Sequence, residues 1–299
     1  MPIHISRAPP NATVFLHFSG SGGTAVVHYA RSLPWMRVPD HKVTHGPNAN
    51  LGCASGYNVH GHPNNFGVIA GAGVNVGHNM RCPCSELYSN AQKYNFWGAE
   101  NPVMAALDCP HIEYWTVLRH PVERILSRVF RPHFKNGHPV LRFNVGVDEM
   151  RRVMFTNYTM HGKKHEFSTG AAWLNNFYTR SLCGPSVFLL PLGMVTDRHL
   201  TLATAQLERI GTVLPTRNIS QLPELLSRNL GRCIMNISEV GHKNSHPGSS
   251  TWHATERDKA MKDKDFMEAL ARYNRLDLQL YEHARQLFEH RMHALKSPC

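Results

Sequence analysis

The sequence predicts a three-layer α/β fold, a central parallel sheet flanked by helices. Two short apolar runs of strand character, Thr13–Phe18 and Tyr114–Leu118, are each followed by a turn and then a helical pattern. The helix after the second run carries one continuous apolar face. Strand and helix patterns then keep alternating toward the C-terminus, the ordering expected of a parallel sheet with crossover helices.

Taken in order, Met1–Pro10 is short and broken by prolines, so it reads as neither a signal peptide nor a span. No apolar run reaches membrane-spanning length. The expectation is a protein soluble where it is made, or one whose anchor lies outside this chain. Thr13–Phe18 (T-V-F-L-H-F) is a buried-strand pattern, Ser19–Thr24 (S-G-S-G-G-T) a glycine-rich turn, and a helix runs on to about Leu33. Pro34–Asn65 is rich in Pro, Gly, His and Asn, Val68–Ala70 reads as a short central strand, and Cys82–Pro110 as loop with a helical turn or two. Residues 34–110 are therefore expected to form an irregular insertion. Tyr114–Leu118 is the second strand. Pro121 then opens a helix in which Val122, Ile125, Leu126, Val129 and Phe130 share one face.

Further helices are predicted around Val147–Asn157, Ala172–Leu182, Leu202–Leu207 and Leu222–Leu230, with a strand at Ile210–Leu214. His242–Thr251 reads as a polar loop. A final helix over residues 263–292 places Phe266, Leu270, Tyr273, Leu280, Ala284 and Leu287 on a helical period. At 299 residues and 42% hydrophobic the chain can bury a large core, and a single domain over residues 1–299 is expected.

The charged fraction of 18% and the dispersed aromatics exclude a disordered chain. The net charge of +11, with 21 histidines able to add to it in acid, suits polyanionic partners or a solvated basic surface. Seven cysteines are present: Cys53, Cys82, Cys84, Cys109, Cys183, Cys233 and Cys299. Cys82-Pro-Cys84 has neither zinc-knuckle nor thioredoxin spacing, and the set fits either one or two disulfides in a secretory chain or reduced thiols. Sequons at Asn11, Asn157, Asn218 and Asn236 are weak pointers to a secretory route.

Two turns carry the chemistry. Strand, glycine-rich turn and helix gather backbone N–H groups where they bind phosphate or sulfate oxygens, and Ser19, Gly20, Ser21, Gly22, Gly23 and Thr24 have the composition for it. No lysine lies in the turn, so it is not a Walker A loop. A tight connection without a ligand is the other reading. In the second turn, Arg119 ends a strand and Ser127 lies two turns into the next helix, an arrangement that can hold one phosphate group. The alternative there is an Arg119–Glu123 pair and a serine on a solvated face.

Arg119–Ser127 (R-H-P-V-E-R-I-L-S) resembles the loop with which sulfotransferases bind the 3′-phosphate of 3′-phosphoadenosine-5′-phosphosulfate (PAPS). Leu16–Thr24 is similar to the family's P-K-T-G-G-T loop, which cradles the 5′-phosphosulfate. Asn175–Gly184 (N-N-F-Y-T-R-S-L-C-G) resembles the N-x-Q-T-R-x-L-C-G stretch of Golgi carbohydrate sulfotransferases, and Leu202–Thr216 their following helix–strand unit. The likeness runs patchily from about Val14 to about Tyr281. It implies a P-loop-like fold, PAPS as donor, no metal, and sulfation of a hydroxyl on a carbohydrate or another small compound. It also implies a Golgi lumen location if an anchor lies outside this chain, and a cytoplasmic one otherwise. Nucleic acid is not an expected partner, and the oligomeric state is not legible.

Tyr57–Phe66 (Y-N-V-H-G-H-P-N-N-F) resembles the H-G-H segment of heparan and uronyl 2-O-sulfotransferases, which implies His60 as catalytic base, with His62 orienting substrate or sharing the role. A neutral imidazole suits removal of a proton from a sugar hydroxyl. From the residues alone, a zinc pair completed by His45, His78 or Cys53, or a chance pairing, stays open. Two positions depart from the family pattern: its lysine falls on Gly20, and its usual aspartate after the arginine is His120. Ser19, Ser21, Thr24, Lys42 or Lys243 are the candidates to replace the lysine. Gly241–Ser245, with Lys243 and Ser245, is expected to close over the nucleotide. Set against PAPS-dependent transfer are a non-catalytic nucleotide- or polyanion-binding protein, a P-loop kinase and a zinc hydrolase.

Overall fold

The computed structural model describes residues 12–18, 20–38, 84, 88, 93–100, 109–130, 132–135, 138–141, 147–148, 174–188, 190–191, 193–230, 233–234 and 251–294. The protein is α/β, with a four-stranded parallel sheet flanked by helices. Its strands are β1 (Ala12–His17), β2 (Phe96–Glu100), β3 (Ile112–Leu118) and β6 (Thr212–Pro215), in the order β2-β1-β3-β6. Every pairing is parallel, with Val14 between Trp97 and Tyr114, and Thr116 beside Val213.

Both faces of the sheet are covered, as parallel sheets require. Successive side chains on a strand point to opposite faces. Phe15, Phe96, Trp115, Val117 and Leu214 therefore pack with α1 (Gly23–Ser32) and with α6 (Leu222–Leu230). Val14, Leu16, Tyr114, Leu118 and Val213 pack on the other side, against α3 (Phe177–Cys183), α5 (Asp197–Glu208) and the upper part of α9 (Arg275–Ala294). A third apolar cluster joins Val122, Ile125 and Leu126 of α2 (Pro121–Val129), and Phe130 directly after it, to Ala260 of α7 (Thr251–Lys262) and Phe266 and Leu270 of α8 (Lys264–Tyr273). Of the apolar face foreseen on α2, Val122, Ile125, Leu126 and Phe130 are buried, with Glu123 exposed on the opposite side.

Several expectations need correction. Residues 34–110 hold strand β2, at the sheet edge among the described strands; Gly98 and Ala99 within F-W-G-A-E hide its strand character. The final helix is not continuous over 263–292, since α8 ends at Tyr273, Asn274 caps it, and α9 begins at Arg275. Asn274 is fully buried, and its Nδ2 donates to the carbonyls of Leu174 and Leu270, so this residue is held by a neighbouring segment at the break. Helix α5 starts at Asp197, ahead of Leu202, because Thr196 and His199 close a capping box there. The sequence gives no sign of α7, of the short α4 (Pro185–Phe188), or of the antiparallel hairpin β4 (Pro132–Lys135) and β5 (His138–Leu141). The expected strand at Val68–Ala70, nearly all of the helix at Val147–Asn157, and the loop His242–Ser250 lie outside the described residues.

Cys84 and Cys109 form a disulfide, and Cys233 is disulfide-bonded as well. Cys183 is a free thiol whose Sγ faces the carbonyl of His199. Among the described residues no helix is long and apolar enough to cross a membrane.

Candidate functional site

The turn after β1 is built for glycine at two points. Gly20 and Gly22 have φ of +88° and +86°, a region costly for residues with a Cβ. A third glycine is needed for contact: a Cβ on Gly23 would lie 1.9 Å from the ring of His17, on which the start of α1 rests. Helix α1 then begins with no side-chain cap and no acidic residue in its first turn. Among the described residues nothing accepts from the N–H groups of Gly22, Gly23 and Thr24. Open N–H groups together with the positive end of the helix dipole make this end of α1 attractive to an anion.

The turn after β3 sits next to it. Nη1 of Arg119 lies 3.5 Å from the carbonyl oxygen of Gly20, and its Nε donates to Glu123 at 3.3 Å. The Arg119–Glu123 pair that was one of the two alternatives read from the sequence is thus present. The Glu123 pair is solvent-exposed and worth little energetically, so it leaves the guanidinium available to a stronger anion. Ser127 is partly buried on α2, and its hydroxyl has no partner among the described residues.

Two further side chains lock the turns together. The hydroxyl of Tyr178, at the start of α3, donates to the carbonyl of Arg119 at 3.0 Å and accepts from the N–H of Arg119 at 3.1 Å. It also pairs with Ser21 Oγ at 2.9 Å. The hydroxyl of Thr216, directly after β6, donates to the carbonyl of Ser21, with the Leu118 carbonyl near enough to share it. The carboxyl ends of three parallel strands thus converge on one spot. Among the described strands the chain passes from β1 to β2 on one side and then to β3 on the other. The crevice at such a reversal, beyond the carboxyl ends, is where open α/β sheets bind ligands.

No protein-family model and no curated protein matches this chain.

Of the residues singled out from sequence, Gly20, Ser21, Gly22, Gly23, Thr24 and Arg119 gather here, and Ser127 lies on the adjoining helix. Ser19, His60, His62, Lys243 and Ser245 lie outside the described residues, as does Lys42. Ser21 takes a different part from the one expected, because its side chain is fully buried and turned to Tyr178 rather than toward a ligand. Among the described residues no group of three or more His, Cys, Asp or Glu is placed to hold a metal ion.

The sequence reading missed the second layer of the site. Arg124 is fully buried under the first turn, and its Cγ is 3.3 Å from where a Cβ on Gly20 would stand. Its guanidinium lies 4.2 Å from the ring centre of Phe177 and interacts electrostatically with Asp277. Burial pushes the Asp277 carboxyl up. The N–H groups of Thr179 and Tyr178, the Thr179 hydroxyl and Arg124 oppose this by favouring its charged form. His120 packs edge-on to Tyr281, and burial pushes its imidazole below the ordinary value, with Arg217 acting in the same direction and Glu123 against it. Arg217, one residue past Thr216, is exposed and lies over the same Tyr281 ring, which adds a cation acting on His120. Two polar residues just past the predicted strand Ile210–Leu214 were the available signal for Thr216 and Arg217. Arg124 and Tyr178 stand inside the Arg119–Ser127 and Asn175–Gly184 stretches but had no role read from them, because their partners are remote in sequence; nothing local marks Asp277.

Proposed function

We propose that this chain is a PAPS-dependent sulfotransferase with a P-loop-like fold, transferring a sulfuryl group to a hydroxyl of a carbohydrate. The observation that carries this reading is the contact between the two anion-holding turns, with Arg119 within 3.5 Å of Gly20. Turns this close can grip the two ends of one nucleotide, whereas turns opening on different crevices could not. The open N–H groups of Gly22, Gly23 and Thr24 suit the 5′ end, and Arg119 with Ser127 suits the 3′-phosphate. Arg217 adds positive potential nearby.

In the proposed reaction the acceptor oxygen attacks sulfur in line. The bond from sulfur to the 5′-phosphate oxygen breaks, and adenosine 3′,5′-bisphosphate leaves. His60 takes the acceptor proton. Fixed positive potential at the leaving oxygens is the protein's main contribution to such a transfer. The Cys84–Cys109 disulfide is in keeping with an oxidising compartment such as the Golgi lumen.

A second reading draws on Gly20. Where the family has a lysine, this chain has a left-handed glycine packed on Arg124, which favours a nucleotide- or polyanion-binding protein that has lost its chemistry. Calorimetry with adenosine 3′,5′-bisphosphate tests the site itself, and absence of binding to folded protein at high micromolar concentration rejects both nucleotide readings. Labelled PAPS with a panel of glycans separates them: transfer that disappears in Arg119→Ala supports the enzyme, and binding without transfer supports the inert protein.

A further inference from the structure

Tyr178 lies in a stretch that the sequence singled out without giving the tyrosine a role. It is held along its whole length. Its N–H donates to Asp277 Oδ2 at 2.9 Å. Its ring meets Phe18 edge-on at 5.0 Å, and the Arg124 guanidinium lies 5.5 Å from it. At the far end the hydroxyl fills its full hydrogen-bonding capacity. It gives its one proton to the Arg119 carbonyl, accepts from the Arg119 N–H, and its second lone pair is left for the proton of Ser21 Oγ. Ser21 belongs to the first turn and Arg119 to the second.

We propose that Tyr178 is the positioning residue that sets the distance between the two anion-holding turns, and so makes them a single site for a ligand with two phosphate groups. The inference rests on the nucleotide reading above and adds to it the residue that selects a bisphosphate over a monophosphate. Two groups on one ligand reinforce each other only if the protein holds their binding sites at matching separation, because the second contact is then made at high effective concentration. Without the tyrosine hydroxyl each turn keeps its own anion-binding groups. The Gly22–Thr24 N–H groups and the Arg119 guanidinium are not bonded to Tyr178, so only the spacing is released. Burial pushes this phenol up to about 12, so the proton it donates stays in place across the physiological range.

The test is calorimetric titration of the full chain and of Tyr178→Phe with three ligands: adenosine 3′,5′-bisphosphate, adenosine 3′-monophosphate and adenosine 5′-monophosphate. In the unmodified protein the bisphosphate is expected to bind more tightly than either monophosphate. In Tyr178→Phe its affinity is expected to fall by about tenfold or more, while both monophosphates stay within about twofold. A purely structural role would weaken all three ligands together, and that result overturns the proposal, as does unchanged bisphosphate affinity. Bisphosphate binding in the unmodified protein no tighter than that of the monophosphates defeats the nucleotide reading itself and this proposal with it. If Tyr178→Phe does not fold, Ser21→Ala removes one of the three contacts. A selective loss of bisphosphate affinity of about threefold then supports the proposal, and an unchanged ligand ratio overturns it.

Discussion

The hydroxyl of Thr216 donates to the carbonyl oxygen of Ser21 at 2.8 Å, joining the end of β6 to the turn after β1 across 195 positions of sequence. The Leu118 carbonyl, at 3.1 Å from the same hydroxyl, draws in the end of β3. Thr216→Val keeps the shape of the side chain and removes its only donor. The expected cost is about 1–2 kcal/mol of unfolding free energy, that of a partly buried hydrogen bond whose acceptors lose a partner. Chemical denaturation checks it. Affinity for adenosine 3′,5′-bisphosphate should fall with it, because Ser21 then loses its tie to the end of β6.

Arg119→Ala removes the forked donor of the second turn and its contact with Gly20. Adenosine 3′,5′-bisphosphate binding should weaken by about 2–3 kcal/mol, the range for a charge-assisted hydrogen bond, while adenosine 5′-monophosphate binding changes little. Arg119→Lys keeps the charge without the fork and should recover only part of the loss. Equal affinities of both ligands for the alanine variant and the unmodified protein would contradict the placement of the 3′-phosphate at Arg119. The thermal midpoint should move little, since the Glu123 pair is exposed.

What the sequence revealed and what it concealed divide along physical lines. Strands β1 and β3 and helix α2 were legible because one strong local pattern decides each: apolar runs for the strands, and Val122, Ile125 and Leu126 on one face for the helix. Strand β2 was not, because Gly98 and Ala99 weaken its pattern and its stability comes from pairing with β1. The break at Asn274 was not, because Asn274 is a tolerable helix residue until Asn176 and Leu174 claim its side chain. The two turns were visible as motifs, yet their contact was not. It depends on β1 and β3 being neighbours, and on Tyr178 and Thr216 reaching in from distant segments.

Behind the site, helices α3 and α9 cap each other. Asp277, near the start of α9, accepts from the N–H groups of Tyr178 and Thr179 at the start of α3. Asn176, just before α3, accepts through Oδ1 from the N–H groups of Leu276 and Asp277. Each residue satisfies donors that the other helix leaves open. Asp277→Ala strips three buried donors of their acceptor and removes a negative charge that interacts with the buried Arg124, so about 3 kcal/mol of stability should be lost, roughly 1 kcal/mol or more for each donor left unpaired. Asp277→Asn keeps one acceptor oxygen and should lose less. Denaturant midpoints of the two variants provide the check, and a loss in Asp277→Ala below about 1 kcal/mol, the size of one exposed hydrogen bond, would leave the capping pair without energetic weight.

Introducing at position 20 the lysine that the proposed reading would call for should not improve the protein. Gly20 has φ of +88°, and a Cβ there would meet Arg124 Cγ at 3.3 Å. Gly20→Lys is therefore expected to lower stability by about 1–2 kcal/mol through backbone strain alone, with crowding against Arg124 added to it. Transfer activity, where present, should fall as well, since the strain acts on the turn proposed to hold the 5′ end of the donor. A variant with unchanged thermal midpoint and raised turnover would show that the turn accepts a side chain there.

At the opposite end of the sheet, Glu113 predicts a pH dependence of stability. It stands at the start of β3, takes a hydrogen bond from Thr212, and lies near Arg291, whose guanidinium donates to the carbonyls of Ile210 and Gly211. Burial raises its carboxyl from 4.5 to about 7, against the opposing pull of Thr212 and Arg291. The folded state therefore holds a proton that the unfolded chain gives up at lower pH. Stability is full below about pH 4.5, falls as pH rises toward 7, and levels off above it. Part of the side chain reaches solvent, so the span is taken as about 1–2 kcal/mol, less than the full shift implies. Glu113→Gln cannot ionise yet can still accept from Thr212. Relative to the unmodified protein it should gain about that amount at pH 8 and nothing at pH 4.5. Denaturation at the two pH values decides it: a gain of equal size at both would assign the effect to packing, not to the proton on Glu113.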